Sequence, residues 1–160
     1  MKNYISELPE KALKMEPHFH AFHKKNKKRL EKMDHDVHQL HEEAFSCIDC
    51  LECANCCRSL GPAIYDKDIE RMAKALKMKP SQVAEQYLRV DEDGDYVFKT
   101  MPCPFLLPDN YCSIYEARPK ACREYPHTDR KKFHQIYKLT VRNSSTCPIV
   151  FDVLSKLIKL

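Results

Sequence analysis

Nine cysteines fall in a chain of 160 residues, and five of them, Cys47, Cys50, Cys53, Cys56 and Cys57, crowd into one stretch. Thiols at such density have two physical outlets, disulfides or metal. Disulfide frameworks belong to chains that pass through an oxidising compartment. The segment Met1 to Leu13 has neither an apolar h-region nor a small-residue cleavage site. The cysteines therefore read as metal ligands, and the chain is expected in the cytoplasm, where thiols stay reduced.

Cys50, Cys53, Cys56 and Cys57 form C-x2-C-x2-C-C, and Cys47 precedes them by a further x2. A short loop can turn three thiolates at x2 intervals towards one centre. Bacterial ferredoxins use such x2, x2 spacing, with a later Cys followed by Pro. Here Cys103-Pro104 and Cys147-Pro148 carry that Pro. The remaining thiols are spaced Cys103-x8-Cys112-x9-Cys122-x24-Cys147. A zinc ribbon requires a second C-x2-C knuckle, which this run lacks. An iron–sulfur cluster, with [4Fe–4S] first, is thus preferred to zinc. Cys50, Cys53 and Cys56 are the expected first three ligands, with a Cys-Pro thiol such as Cys103 as the fourth. Arg58 and Arg123 directly follow cysteines, and Arg118 and Lys120 flank Cys122. Their positive charge favours thiolates.

Other chemistries find little support. With only Gly61 and Gly94, the chain has no room for a Walker loop or a dinucleotide fingerprint. No run approaches the ~20 apolar residues that span a bilayer. The net charge of +4 is too mild to argue for nucleic acid. His35, His38 and His41 drift around a helix instead of stacking and read as a solvated face, as do His18, His20 and His23. His127 is the better candidate for a role beside the metal. Asp91–Asp95 departs from a calcium loop, because Gly94 falls at the fourth place, and reads as a β-turn.

Periodicity predicts a mainly α fold with a small β element and an irregular cysteine-rich metal-binding centre packed between helices. A long helix is expected from Pro17 to about Phe45, its apolar stripe interrupted at Asn26, with residues 1–16 a loose lead-in or short helix. Residues 47–57 are expected as a loop on metal. Further helices are expected near 67–79, capped by Asp66 and stopped by Pro80, and near 81–89. Tyr96–Lys99 is a strand candidate that Tyr111–Tyr115 can pair. Arg118-Pro119 begins a short helix, Phe133–Val141 suits helix and strand equally, and Pro148 opens a last apolar-faced helix. The expected organisation is a helical extension over 1–46, a cysteine-cluster domain over 47–147, and a C-terminal helix over 148–160 on the same domain.

The cysteine blocks also carry a resemblance. Phe45-x-Cys47…Cys50-x2-Cys53-x2-Cys56-Cys57-Arg58 is followed by Cys103-Pro104-Phe105-Leu106. Then come Cys112-Ser113-Ile114-Tyr115-Glu116-Ala117-Arg118-Pro119 and Cys122-Arg123-Glu124-Tyr125-Pro126. Together they resemble the CxxCxxCC cysteine-cluster family, a zinc- or iron-chelating (YkgJ-like) domain. The resemblance covers about Phe45 to Pro126, with Cys147 as an extension. It implies chelation by Cys50, Cys53, Cys56, Cys57, Cys103, Cys112 and Cys122, and leaves the metal open. Flagellin lysine methylases contain a similar cluster, but no S-adenosylmethionine loop is recognisable here. The preferred function is a metal-binding protein with a structural, electron-transfer or sensing role. A metal-dependent redox or transfer enzyme and a metallated nucleic-acid module are the alternatives. No protein partner is indicated.

Overall fold

In the computed structural model, which describes residues 2–160, the chain is mainly helical with one two-stranded antiparallel sheet, as the periodicity predicts. It divides into two compact units: Met1–Cys53 with Pro126–Leu160, and Ala54–Tyr125. Among the described residues no helix is long and apolar enough to cross a membrane.

In the first unit, α1 runs Lys2–Leu30 and α2 Asp34–Cys47. The helix thus begins well before Pro17, so the expected loose lead-in or short helix is part of α1 over its described residues, while the single helix expected to run on to about Phe45 ends at Leu30 and restarts at Asp34. Leu8, Ala12, Met15 and Phe19 continue the apolar stripe upstream at helical spacing, and Leu8, Ala12 and Phe19 are buried. Pro9 and Pro17 lie inside α1 on its exposed side, where the carbonyls they leave unbonded can meet water. Asn26, the polar position in the apolar stripe, leaves helical geometry (φ −115°, ψ 22°), a backbone kink that the spacing does not predict, and its amide donates to the Phe22 carbonyl at 3.0 Å.

Short α3, Cys50–Cys53, ends the first segment of this unit. The chain later returns through a 3-10 turn, Phe133–Ile136, then α8 at Tyr137–Asn143 and α9 at Pro148–Leu157. The Phe133–Val141 stretch resolves to helix. Phe133, Tyr137 and Val141 form one buried face, and the Asp34 carboxylate accepts the amides of Lys132 (2.6 Å) and Phe133 (3.0 Å) where that turn begins. The core joins these residues to Val37, Leu40 and Ala44 of α2 and to Ile149, Val150, Val153, Leu154 and Leu157 of α9. Tyr137 donates its hydroxyl proton to the Phe19 carbonyl at 3.1 Å, and His23 stacks on its ring. His38 and His41 are not simply solvated. His41 Nδ1 lies 2.7 Å from Thr128 Oγ1, and His38 Nε2 lies 3.4 Å from the Arg130 carbonyl.

The second unit opens with α4, Asn55–Ser59, entered through Ala54 in the left-handed region (φ 46°). The cysteine-dense stretch expected as a loop is therefore two short helices, α3 and α4. Runs of C-x2-C suit a single helical turn as well as they suit a loop. Next come α5 at Asp66–Leu76 and α6 at Pro80–Tyr87. Tyr65, not Asp66, precedes the first turn of α5, and the Asp68 carboxylate accepts its amide at 3.0 Å. Lys77 in the left-handed region ends α5, and Pro80 starts α6.

Strands β1, Leu88–Val90, and β2, Tyr96–Phe98, pair antiparallel with Leu88 opposite Phe98. The expected Tyr111–Tyr115 partner is replaced by the adjacent strand. The Asp91–Asp95 turn makes that pairing local, with the Asp91 carboxylate accepting the amides of Asp93 and Asp95. A core of Ile64, Ile69, Met72, Val83, Leu88, Phe98, Phe105 and Ile114 fills this unit. The short helix α7, Lys120–Glu124, follows Pro119 and carries Cys122.

Candidate metal centre

Each unit holds its own cysteines. The second contains Cys56, Cys57, Cys103, Cys112 and Cys122; the first contains Cys47, Cys50, Cys53 and Cys147. Among the described residues, no three His, Cys, Asp or Glu side chains are gathered closely enough to hold a metal ion as they stand. The second-unit thiols are nevertheless near enough to act on one another electrostatically.

Local hydrogen bonding explains how residues so far apart in sequence converge. The Cys103 amide donates to the Cys57 carbonyl at 2.8 Å, tying the loop to α4. From Cys103 the chain doubles back. Leu107 N–H donates to the Tyr111 carbonyl and Ser113 N–H to the Phe105 carbonyl, both at 2.8 Å, with Asn110 at φ 69° in the turn. Leu106 pairs with Cys112 as an isolated antiparallel bridge, so Cys103 and Cys112 belong to one tight hairpin. Phe105 anchors it in the core, its ring 4.8 Å from Tyr87 and 5.7 Å from Phe98.

Cys122 is positioned by a polar clamp that the sequence reading missed. Asp68, 2% exposed, accepts the Lys120 amide at 2.9 Å and an Arg71 guanidinium proton. Arg71 also donates to the Arg118 carbonyl at 2.8 Å. Burial opposes ionisation of Asp68, yet the Tyr65 and Lys120 amides and Arg71 outweigh it and hold the carboxyl below its usual range. The only signal in the sequence was a carboxylate in the first turn of α5, which has the look of an ordinary cap. Asp68→Ala leaves two amides without their acceptor and Arg71 without its carboxylate, with the Arg118 and Lys67 carbonyls as its remaining partners. It is expected to destabilise the second unit by about 3 kcal/mol, read as a lower urea midpoint.

The thiols divide by environment. Cys57 is lowered to about 7, first by its hydrogen bond with Cys56 (Sγ–Sγ 4.0 Å) and then by Arg118 and Arg58, against the effect of burial. Burial raises Cys103 to about 11 and Cys122 to about 12, and raises Cys112 as well; neighbouring thiolates add to each. Backbone amides work the other way. Phe105 and Leu106 donate to the Cys103 sulfur and Ile114 to that of Cys112. Such N–H···S bonds stabilise a thiolate held by metal and tune its potential. Arg118, whose guanidinium lies 3.4 Å from the centre of the Tyr115 ring, favours the ionised form of Cys57, Cys112 and Cys122.

A soft cation would replace the protons and relieve the repulsion among the sulfurs. At pH 8, Cys57 is largely ionised while the other three carry protons. Metal uptake should therefore release about three protons, and log affinity should climb by about three per pH unit. Calorimetry in buffers of different ionisation enthalpy measures the number. Release of less than about one proton would show that these thiols are not the ligands.

The other candidates lie elsewhere. Arg58 donates to the Asn110 side chain. Arg123 and Lys120 line an open cleft of about 740 Å³ with Tyr65, Arg71 and Tyr96, and no cysteine lines it. His127 belongs to the first unit and adopts φ 63°. In that unit, Cys147 is buried ahead of α9, while Cys47 and Cys50 are exposed.

Comparison with known proteins gives one match. The model of the CxxCxxCC family, described as "Putative zinc- or iron-chelating domain", matches residues 49–148. No curated protein and no solved structure matches. The matched region covers well over half of the chain and contains every cysteine except Cys47. With thiols as its concentrated donor set, this chain belongs to the CxxCxxCC family and is a metal-binding protein of the zinc- or iron-chelating kind.

Proposed function

We infer that the chain holds an iron–sulfur cluster through Cys57, Cys103, Cys112 and Cys122, as a structural, electron-transfer or sensing centre in the cytoplasm. The observation that carries this reading is the convergence of these thiols within one unit: the Cys103 amide donates to the Cys57 carbonyl at 2.8 Å, Cys112 lies in the hairpin that Cys103 begins, and Cys57, Cys103 and Cys112 all act electrostatically on Cys122. An all-thiolate donor set selects soft metals: iron–sulfur clusters, zinc or copper(I). The amide donors at Cys103 and Cys112 and the cation at Arg118 suit the negative charge that four thiolates leave on a cluster. This set takes the place of the Cys50, Cys53 and Cys56 trio favoured by spacing alone. Cys56 serves instead as the neighbour that ionises Cys57.

When bound, the cluster supplies one-electron chemistry or a folding staple. The protein's own part is to orient the thiols through the 103–113 hairpin and the Asp68 clamp, and to offset charge through Arg118. The cleft with exposed Tyr65 and Tyr96 has no thiol in its wall, although the Asp68, Arg71 and Lys120 clamp lines it. The binding reading accordingly stands ahead of the enzyme and nucleic-acid readings.

Anaerobic purification followed by iron, zinc and acid-labile sulfide analysis tests the assignment. Iron and sulfide in equal amounts, with visible charge-transfer absorption, are expected. Stoichiometric zinc without sulfide would replace the cluster with zinc on the same thiols.

A further inference from the structure

The first unit carries a second run of thiols at ligand spacing. Cys47-x2-Cys50-x2-Cys53 lies wholly within it, and Cys147-Pro148 returns to the same unit. Cys47 is the last residue of α2. Only Ile48 and Asp49 separate it from α3, where Asp49 Oδ1 accepts the Leu51 amide at 2.8 Å. Cys50 and Cys53, three apart on one helical turn, share a face. Cys47 and Ile48 line a cavity of about 390 Å³ together with Pro148, Asp152 and Lys156, so the end of α2 lies at the start of α9.

Cys147 is built as an anchor for this group. It is 7% exposed and stands at the N-cap of α9, a helix of 10 residues with no acidic side chain in its first turn. The Ile149 and Val150 amides donate to its sulfur. Cys103 shows the same pattern, with donors two and three residues on after an intervening Pro. Cys50 and Cys53 act electrostatically on Cys147. Burial pushes the Cys147 thiol up to about 12, and the two amides oppose this only in part; once a metal displaces the proton, the same amides are placed to donate to the sulfur. Cys47 and Cys50 are exposed, so burial does not hinder the χ1 rotation that would close the group.

We propose that Cys47, Cys50, Cys53 and Cys147 form a second, separate centre for a thiophilic metal ion or iron–sulfur cluster. The centre goes beyond the four-thiol site of the second unit and does not depend on it. Cys47 lies outside the matched region, which spans residues 49–148. The centre would pin the end of α2 and the turn of α3 to the start of α9.

Cobalt(II) titration of the reduced, metal-free full chain under argon tests the proposal. The visible bands of tetrahedral cobalt–thiolate should saturate at about two equivalents. Cys47→Ser and Cys50→Ser change exposed side chains, so folding is not at issue, and each should lower the endpoint to about one. Cys122→Ser should also leave about one, held by the first-unit thiols. A single wild-type equivalent that is unaffected by Cys47→Ser and Cys50→Ser overturns the second centre and leaves the first intact. A single equivalent lost in Cys50→Ser but kept in Cys122→Ser upholds this centre and removes the other. A single equivalent lost in both kinds of variant means one mixed site and overturns the proposal. In anaerobically isolated protein, loss of iron and sulfide from Cys47→Ser identifies a cluster here, and loss of zinc identifies a zinc ion.

Discussion

Cys103→Ser is expected to abolish metal binding in the second unit. Cys103 joins α4 through its amide, shares a hairpin with Cys112, and accepts two backbone amides at sulfur. Serine is similar in size but offers a hard, poorly ionising oxygen where a soft metal requires sulfur. Loss of an outer partner of a ligand already costs about 10–100-fold in affinity, so loss of the ligand itself should exceed ~100-fold. Competition against a chromophoric chelator reads the effect. Cys56→Ser is the informative contrast. It removes the hydrogen bond that lowers Cys57 but leaves the four proposed ligands in place. Its affinity should fall less, and its metal uptake should release more protons at pH 8. Equal losses in the two variants would move Cys56 into the ligand set.

Metal removal is expected to open the stretch from Thr100 to Tyr125 to trypsin while the α5–α6 pair persists. That stretch holds one 3-10 turn, one single-turn helix and the 103–113 hairpin, and Lys120 and Arg123 are its cleavage sites, since Pro119 blocks cutting after Arg118. By composition the whole cysteine-rich middle is poor in apolar residues, which suggests that all of it depends on metal. The core built on Ile69, Met72, Val83, Leu88 and Phe98 contradicts that for α5, α6 and the sheet, which have apolar support of their own. With metal at about 100 times its dissociation constant, chelation should raise cleavage in the 100–125 stretch by about 100-fold. Mass spectrometry of the first fragments locates the cuts. Equal cleavage of α5 would indicate that the unit melts as a whole, and unchanged cleavage that its thiols are not metal-bound.

The sequence by itself determined the chemistry and most of the local structure. Cysteine spacing and the motif blocks identified a metal-chelating family before any fold was known, because ligand type and order are written directly in the chain. Helices with a clear apolar face, α5 and α9 above all, were legible from period alone, whereas the kink at Asn26 and the end of α1 at Leu30 were not. Tertiary structure decided what local patterns leave open. Phe133–Val141 became helix because its i, i+4, i+8 face met a core and Asp34, some 98 residues earlier, supplied its first acceptors. Pro9 and Pro17 were tolerated because they fell on the exposed side of α1. The grouping of the cysteines was also tertiary. Spacing favours Cys50, Cys53 and Cys56 for one centre, whereas the proposed ligand sets follow the two units, whose boundary falls between Cys53 and Ala54. Which thiols become neighbours depends on long-range packing, such as the Asp68 clamp on α7 and the burial of Cys147 ahead of α9, and no local period encodes that.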